Sequence, residues 1–420
     1  MRVSLNMSVR CYENNLMIKI IIILSLAYSL WGLAFSSYSY LTRYYARGLG
    51  VSYMTQAILE TFSNTLSIAI LILITILVNY IGKIKTIIMI NSLAILSPLS
   101  VIISSLGHTI DPHAGVSIAL ITLSSSFITG VVVRNLLIID LGGRFLGHVI
   151  GVVMTINSLA MILGPLLGYY IKEIYGYLIY FITATLMFLL SSLLILALRK
   201  YYTDYDYRDN IILRNHRELF TDPLKKIFSI NKNERFLYPF ILFVALDRFI
   251  YNMWAQLLFA LTAYENISSE IAAYFSTIQY ISWFLSQYLF GLLTDKRDPI
   301  YILGLSEIFA GLAAITLGVG IKTGSPQWIF SSAVLLGLSI ASWIPSYNKI
   351  IQIFVSSSER PLFLSKINIY AIVFGSPGPY LGGLIRDIAI HGLSHLFVAS
   401  AIHIINAITF LYLMKHRVGK

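Results

Sequence analysis

"GLLTDKRDPIYILG" (residues 291–304) sets Asp295, Lys296, Arg297 and Asp298 side by side in a chain in which charged residues make up only 12% and apolar ones 57%. Long apolar stretches flank the knot: "AYFSTIQYISWFLSQYLF" (273–290) before it and "IYILGLSEIFAGLAAITLGVG" (300–320) after it. A charged turn cannot lie in hydrocarbon, because nothing there replaces the lost water. The knot therefore marks a membrane surface at which two spanning helices reverse.

Working outward, apolar windows of about 18 to 25 residues, the length that crosses roughly 30 Å of hydrocarbon, recur along the chain. A mean hydropathy of +0.78 agrees with that reading. Twelve spans are predicted, from 18–42 to 394–414, six on each side of a polar stretch beginning "RKYYTDYDYRDN" at Arg199. The expected organisation is a first bundle over 1–199, a cytoplasmic linker over 200–236 and a second bundle over 237–420.

The net charge of +11 does not call for nucleic acid. With the N-terminus inside, only Arg43, Arg47, Lys172, Lys322 and Arg386 fall in outer turns, Arg248 lies within a span, and the other basic residues gather on the inner side. That is the positive-inside bias, and it predicts a multi-pass protein of the cell membrane with both termini cytoplasmic. The first span is too long for the apolar core of a signal peptide, so no leader is expected. One cysteine, Cys11, leaves no intramolecular disulfide and no cysteine metal cluster.

Sliding the chain by 216 residues brings "TILVNYIGKIKTII" (75–88) under 291–304 and sets Arg144 of "GGRFLG" (142–147) against Arg360 of "SERPLFL" (358–364). With a two-residue slip, "LGPLLGYY" (163–170) also pairs with "SPGPYLGGL" (376–384). Three matches in one order indicate a six-helix parallel repeat, an arrangement on which transporters are built.

On these residues the chain resembles the major facilitator superfamily of secondary transporters. That family carries G-x-x-x-D-R-x-G-R-R after the second span, a looser copy after the eighth, and a Gly-Pro motif in the fifth. Here Thr75, Asn79, Gly82 and Lys83 stand in the first copy, which lacks the lead Gly and the Asp, and Gly291, Asp295 and Lys296 in the second, in which Asp298 replaces the later Gly. The resemblance implies an all-α membrane protein of two pseudo-symmetric six-helix bundles. It also implies that Asp295 latches the cytoplasmic side by meeting a helix N-terminus, whose partial positive charge favours a carboxylate. Lys349 is a second expected partner for Asp295, and a solvated turn that only enforces topology is the alternative.

The Gly-Pro segments, Gly164, Pro165 and Gly168 with Pro377, Gly378, Pro379, Gly382 and Gly383, let helices bend and approach closely, because proline removes a hydrogen bond and glycine a side chain. In "FILFVALDRFIYNMWAQLLFA" (240–260), Asp247 and Arg248 stand about nine residues into the seventh span, about 14 Å deep. Ionisable groups at that depth cost at least about 2.5–3.5 kcal/mol and face a cavity or a partner. Asp247 is the expected proton carrier. Glu60 of the second span is expected either to share that role or to pair with Arg248, which otherwise binds an anion; a static ion-pair network is the alternative.

Arg134 and Lys349 are expected to snorkel to the inner surface, with Asp140 and Asp295 as possible partners. Glu307, in a span that the resemblance sets at the lipid-facing rim, is expected to serve packing. Trp31, Phe35, Tyr38, Tyr251 and Trp254 are candidates to line a solute cavity. His391 and His395 have metal-ligand spacing, but the intervening Gly392 argues against a helical pair, so no metal is expected, and Asn266 opens a sequon.

No Walker A motif, no H-E-x-x-H and no clustered His and carboxylate pattern occurs. These absences point away from an ATPase and from an enzyme. The expectation is a monomeric, cofactor-free secondary transporter that binds protons and a small organic solute. Export of a drug-like compound against protons leads, ahead of uptake of a sugar or organic acid and of an uncoupled facilitator or sensor.

Overall fold

The computed structural model describes residues 2–107, 110–142, 146–200, 237–355, 360–389 and 392–418. The bulk of the expected linker and His391 lie outside them, as do the side chains of Thr75, Asn79 and Asp140. All regular structure among the described residues is helical. The first part of the chain forms α1 (Arg2–Gly48), α2 (Tyr53–Ile81), α3 (Lys83–Leu106), α4 (Pro112–Gly142) and α5 (Leu146–Ala197). The second forms α6 (Tyr238–Trp254), α7 (Leu258–Tyr264), α8 (Ser269–Lys296), α9 (Pro299–Thr323), α10 (Pro326–Phe354), α11 (Arg360–Gly375), α12 (Gly378–Ile388) and α13 (Ser394–Val418).

Local chemistry sets these boundaries. Gly82 separates α2 from α3 at φ 84°, and Gly176 breaks α5 into two helices at φ 81°, a backbone region that L side chains rarely enter. The polar knot also resolves residue by residue. Lys296 ends α8, the Asp298 side chain accepts from Ile300 N at 2.9 Å as N-cap of α9, and Pro299 occupies the first turn, where its missing N–H costs nothing.

Nine helices among the described residues are long and apolar enough to cross a membrane, against twelve spans expected. The difference has identifiable causes. The apolar window over 152–200 covers two expected spans joined at Gly176, the eighth span is rich in Ser, Gln and Tyr, and the eleventh is cut at Ser376–Pro377 into helices of 16 and 11 residues.

Contacts gather the chain into two compact units, residues 1–38 with 69–214 and residues 39–68 with 215–420. The ends of α1 and α2 that flank the 49–52 turn bond within the second unit. The core of the first unit joins Leu24, Ala27, Ile87, Val133, Leu137 and Val153. The second has one core around Trp254, Leu257, Leu261, Leu317 and Leu336 and another around Phe240, Phe243, Leu303, Ile350 and Phe410.

Polarity is inverted relative to a water-soluble protein. Ile405, Ile408 and Leu285 are 60%, 62% and 63% exposed, whereas Glu60, Glu307, Asn64 and Arg43 are buried. An apolar exterior around a polar interior is what a lipid solvent selects.

The glycines of the Gly-Pro segments serve close approach. A side chain at Gly164 would run into Ser36 and lie 2.6 Å from Leu33 O, and one at Gly378 would lie 2.5 Å from Phe249 O. At Gly382 the obstacle is the Met253 carbonyl, which is backbone and cannot swing aside. Gly382→Ala is therefore expected to lower stability by about 1–3 kcal/mol through overpacking. Gly291→Ala, where a side chain meets nothing within 4 Å, should be neutral or up to about 1 kcal/mol stabilising. Thermal unfolding of the two variants in detergent checks the contrast; equal melting temperatures would refute it.

Candidate functional site

Asp247 of α6 meets two side chains that lie far away in sequence. Glu307 of α9 and His403 of α13 present their ligating atoms so that these and an Asp247 oxygen all lie within 4.8 Å of one another. Glu307 and His403 are fully buried, Asp247 half-buried. Helix packing permits the meeting. One turn beyond Glu307, a side chain at Gly311 would lie 3.2 Å from Ser400 O and 3.4 Å from His403 Cβ, so glycine lets α9 and α13 close up. Asn406, one turn past His403, donates to Phe243 O at 3.2 Å and ties α13 to α6.

The hydrogen bonds fix the imidazole. Trp254 Nε1 lies 3.1 Å from His403 Nε2, and an indole N–H can only donate. Nε2 is thus the acceptor, the proton of the neutral ring sits on Nδ1, and Nδ1–H donates to Glu307 Oε2 at 2.6 Å. Both ring nitrogens are committed, so His403 has no lone pair for a metal ion, although three potential ligands converge. Glu307 Oε1 is buried without a hydrogen-bond partner. The arrangement thus sets two carboxyl groups, those of Asp247 and Glu307, beside one imidazole whose hydrogen bonds fix its orientation.

A second buried network occupies the break between α6 and α7. Arg43 and Glu60 form an ion pair with both side chains buried, and Gln256 donates to the same Glu60 carboxylate. Asn64 Nδ2 donates to Gln256 Oε1 at 3.0 Å. Gln256 can reach across because residues 255–257 leave the regular helix. The same end of the unit carries Arg386–Glu265 at 2.9 Å, Tyr44 OH donating to Ile267 O at 2.8 Å and Tyr264 OH donating to Val51 O at 2.7 Å.

Several expectations are corrected by this geometry. Glu60 pairs with Arg43, and Arg248 makes no ion pair with any described carboxylate. Glu307 belongs to the buried triad, where its spacing from Asp247 and His403 is set by tertiary packing, not to a lipid-facing rim. Trp31, Tyr38 and Trp254 are buried and line no open surface, while Phe35 and Tyr251 are partly exposed. Tyr38 accepts from Ser97 Oγ at 3.1 Å inside the first unit, and Trp254 serves His403.

Arg134 does not snorkel. Its guanidinium is buried 3.7 Å over the Trp31 ring, which stacks in turn on Phe35 at 4.8 Å, and it reaches Asn91 Oδ1 at 3.4 Å. Aromatic stacking replaces the water that a snorkelling cation seeks. His395 is fully buried beside the Tyr53 hydroxyl, at 3.5 Å.

Lys349 Nζ does pair with Asp295 Oδ1, at 2.9 Å, and both groups retain access to water. The pair lines a cavity of about 460 Å³ with Gly291, Thr294, Asn348 and Arg360. Arg360 itself caps the end of α10 by donating to Gln352 O and Val355 O. Lys296 is exposed and Lys83 buried, next to the Gly82 turn.

Sequence reasoning missed Arg43, Gln256, Glu307 and His403 as members of these networks. A signal was present for two of them, since Glu307 and His403 are ionisable residues inside apolar windows, but spacing along the chain could not pair them.

Among the described residues, an all-helical fold with large apolar side chains on its exterior and ionisable groups buried inside defines a membrane protein. The sequence profile of the Major Facilitator Superfamily matches residues 131–379, more than half of the chain, and the chain belongs to that family. Solved structures agree on the fold. A peptide transporter POT mutant in complex with alafosfalin is 13% identical, with a TM-score of 0.70 and 95% of each chain covered. A D-xylose-proton symporter is 13% identical with a TM-score of 0.69, covering 96% of this chain and 99% of the other. A mutant of the nucleoside transporter NupG is 15% identical with a TM-score of 0.66, covering 95% and 99%. No curated protein sequence matches the chain.

Proposed function

We propose that the chain is a proton-coupled secondary transporter of a small organic solute, working by alternating access between two six-helix halves in the cell membrane. One observation carries this reading: the carboxyl pair of half-buried Asp247 and buried Glu307, with a neutral His403 held as a fixed donor to one member. A proton held on such a pair changes the charge of the site by one. Alternating access turns that change into coupling when the loaded and unloaded forms differ in their freedom to switch. The pair serves symport and antiport alike, since both need only a proton whose residence depends on the solute; the direction follows from the gradients. The xylose–proton symporter among the structural neighbours supports the class of mechanism, and the peptide and nucleoside transporters support a small polar organic cargo.

The Lys349–Asp295 pair with Gly291 beside it, and the Gly82 turn, are assigned to the cytoplasmic gate, because an exposed ion pair of about 0–1 kcal/mol can break in every cycle. The reading is tested with the purified protein in liposomes loaded with a pH-sensitive dye, using a solute found by thermal-shift screening. Solute-dependent proton movement is expected, and solute flux with no accompanying proton movement would overturn it.

A further inference from the structure

Arg248 adjoins Asp247 in sequence but takes no part in the triad. Successive side chains on a helix point about 100° apart, so while Asp247 turns toward Glu307 and His403, Arg248 turns toward α11. Its guanidinium is exposed in mid-span, and Glu60, the expected counter-ion, is already held by Arg43 and Gln256. An exposed arginine at this depth faces water, because lipid there is prohibitively costly.

Its seat is rigid. A side chain at Gly375 would lie 2.5 Å from Arg248 Cγ, and Asn252 Nδ2 donates to Gly375 O at 3.1 Å, so α11 presses on the arginine stem and fixes its direction. One aromatic ring stands beside the cation: the partly exposed Tyr251 ring, one turn along α6, has its centroid 6.0 Å from the guanidinium carbon.

We infer that Arg248, with Tyr251, is the recognition site for an organic carboxylate with a planar apolar body. The guanidinium supplies a paired set of N–H donors that matches a carboxylate, and the partly exposed Tyr251 ring supplies a face for the body. The inference rests on the transporter reading above but deepens it, by replacing an unspecified solute with an anionic one.

The test is binding to the purified full-length protein, read as thermal stabilisation with matched probes: benzoate against benzamide, nicotinate against nicotinamide, and phenylacetate against phenylacetamide. At least one carboxylate is expected to stabilise the wild type and its amide to do so far less. Arg248→Gln should weaken the binding of that carboxylate about 10- to 100-fold, the worth of a charge-assisted hydrogen bond. Arg248→Lys, which keeps the charge and loses the fork, should fall between, and serves alone if the glutamine variant does not fold.

Equal shifts from acid and amide, no shift from any carboxylate, or carboxylate binding unaltered in both variants would each overturn the inference. Binding needs no gradient, so a failure of proton coupling with intact anion binding strikes only the coupling reading.

Discussion

In liposomes, Asp247→Asn and, separately, Glu307→Gln are expected to bring proton-driven accumulation down to the uncoupled background, a loss of at least about tenfold, while solute counterflow exchange continues. The amides keep the size and much of the hydrogen bonding of the carboxyls but cannot load or release a proton. Counterflow needs only the switching of the loaded carrier, so it survives if the amide imitates the protonated form. Glu307 is the sharper test, since its burial and its His403 bond give it no other evident task. The double variant should be no worse than either single one, because two members of one proton-holding pair fail as a unit. Driven accumulation that persists in both single variants would remove the triad from the mechanism.

Breaking the Arg43–Glu60 pair has the largest expected effect on stability. Glu60→Gln leaves Arg43 as a buried cation without its counter-charge, and Arg43→Met leaves the converse; each is expected to cost about 3–5 kcal/mol. Replacing both residues by Met should recover most of that loss, since desolvation of the charges offsets much of their attraction. Thermal unfolding of the three variants in detergent gives the comparison. A Glu60→Gln protein that melts with the wild type yet has lost proton coupling would transfer the carrier role to Glu60. A double variant as unstable as the single ones would show that the network works through hydrogen bonds to Gln256 and not through charge.

The amino-acid sequence by itself determined the membrane setting, the helical class and the charged reversal between α8 and α9. Hydropathy and turn chemistry are sums over neighbouring residues, so the knot at 295–298 is legible without knowledge of any other part of the chain. The partners were not. Asp247 finds Glu307 and His403, and Glu60 finds Arg43 and Gln256, according to how each helix is rotated about its axis and how closely Gly311 and Gly375 let neighbours approach. A buried charge demands a partner but does not name one; in a bundle of apolar helices that choice belongs to packing, which only the tertiary structure decides.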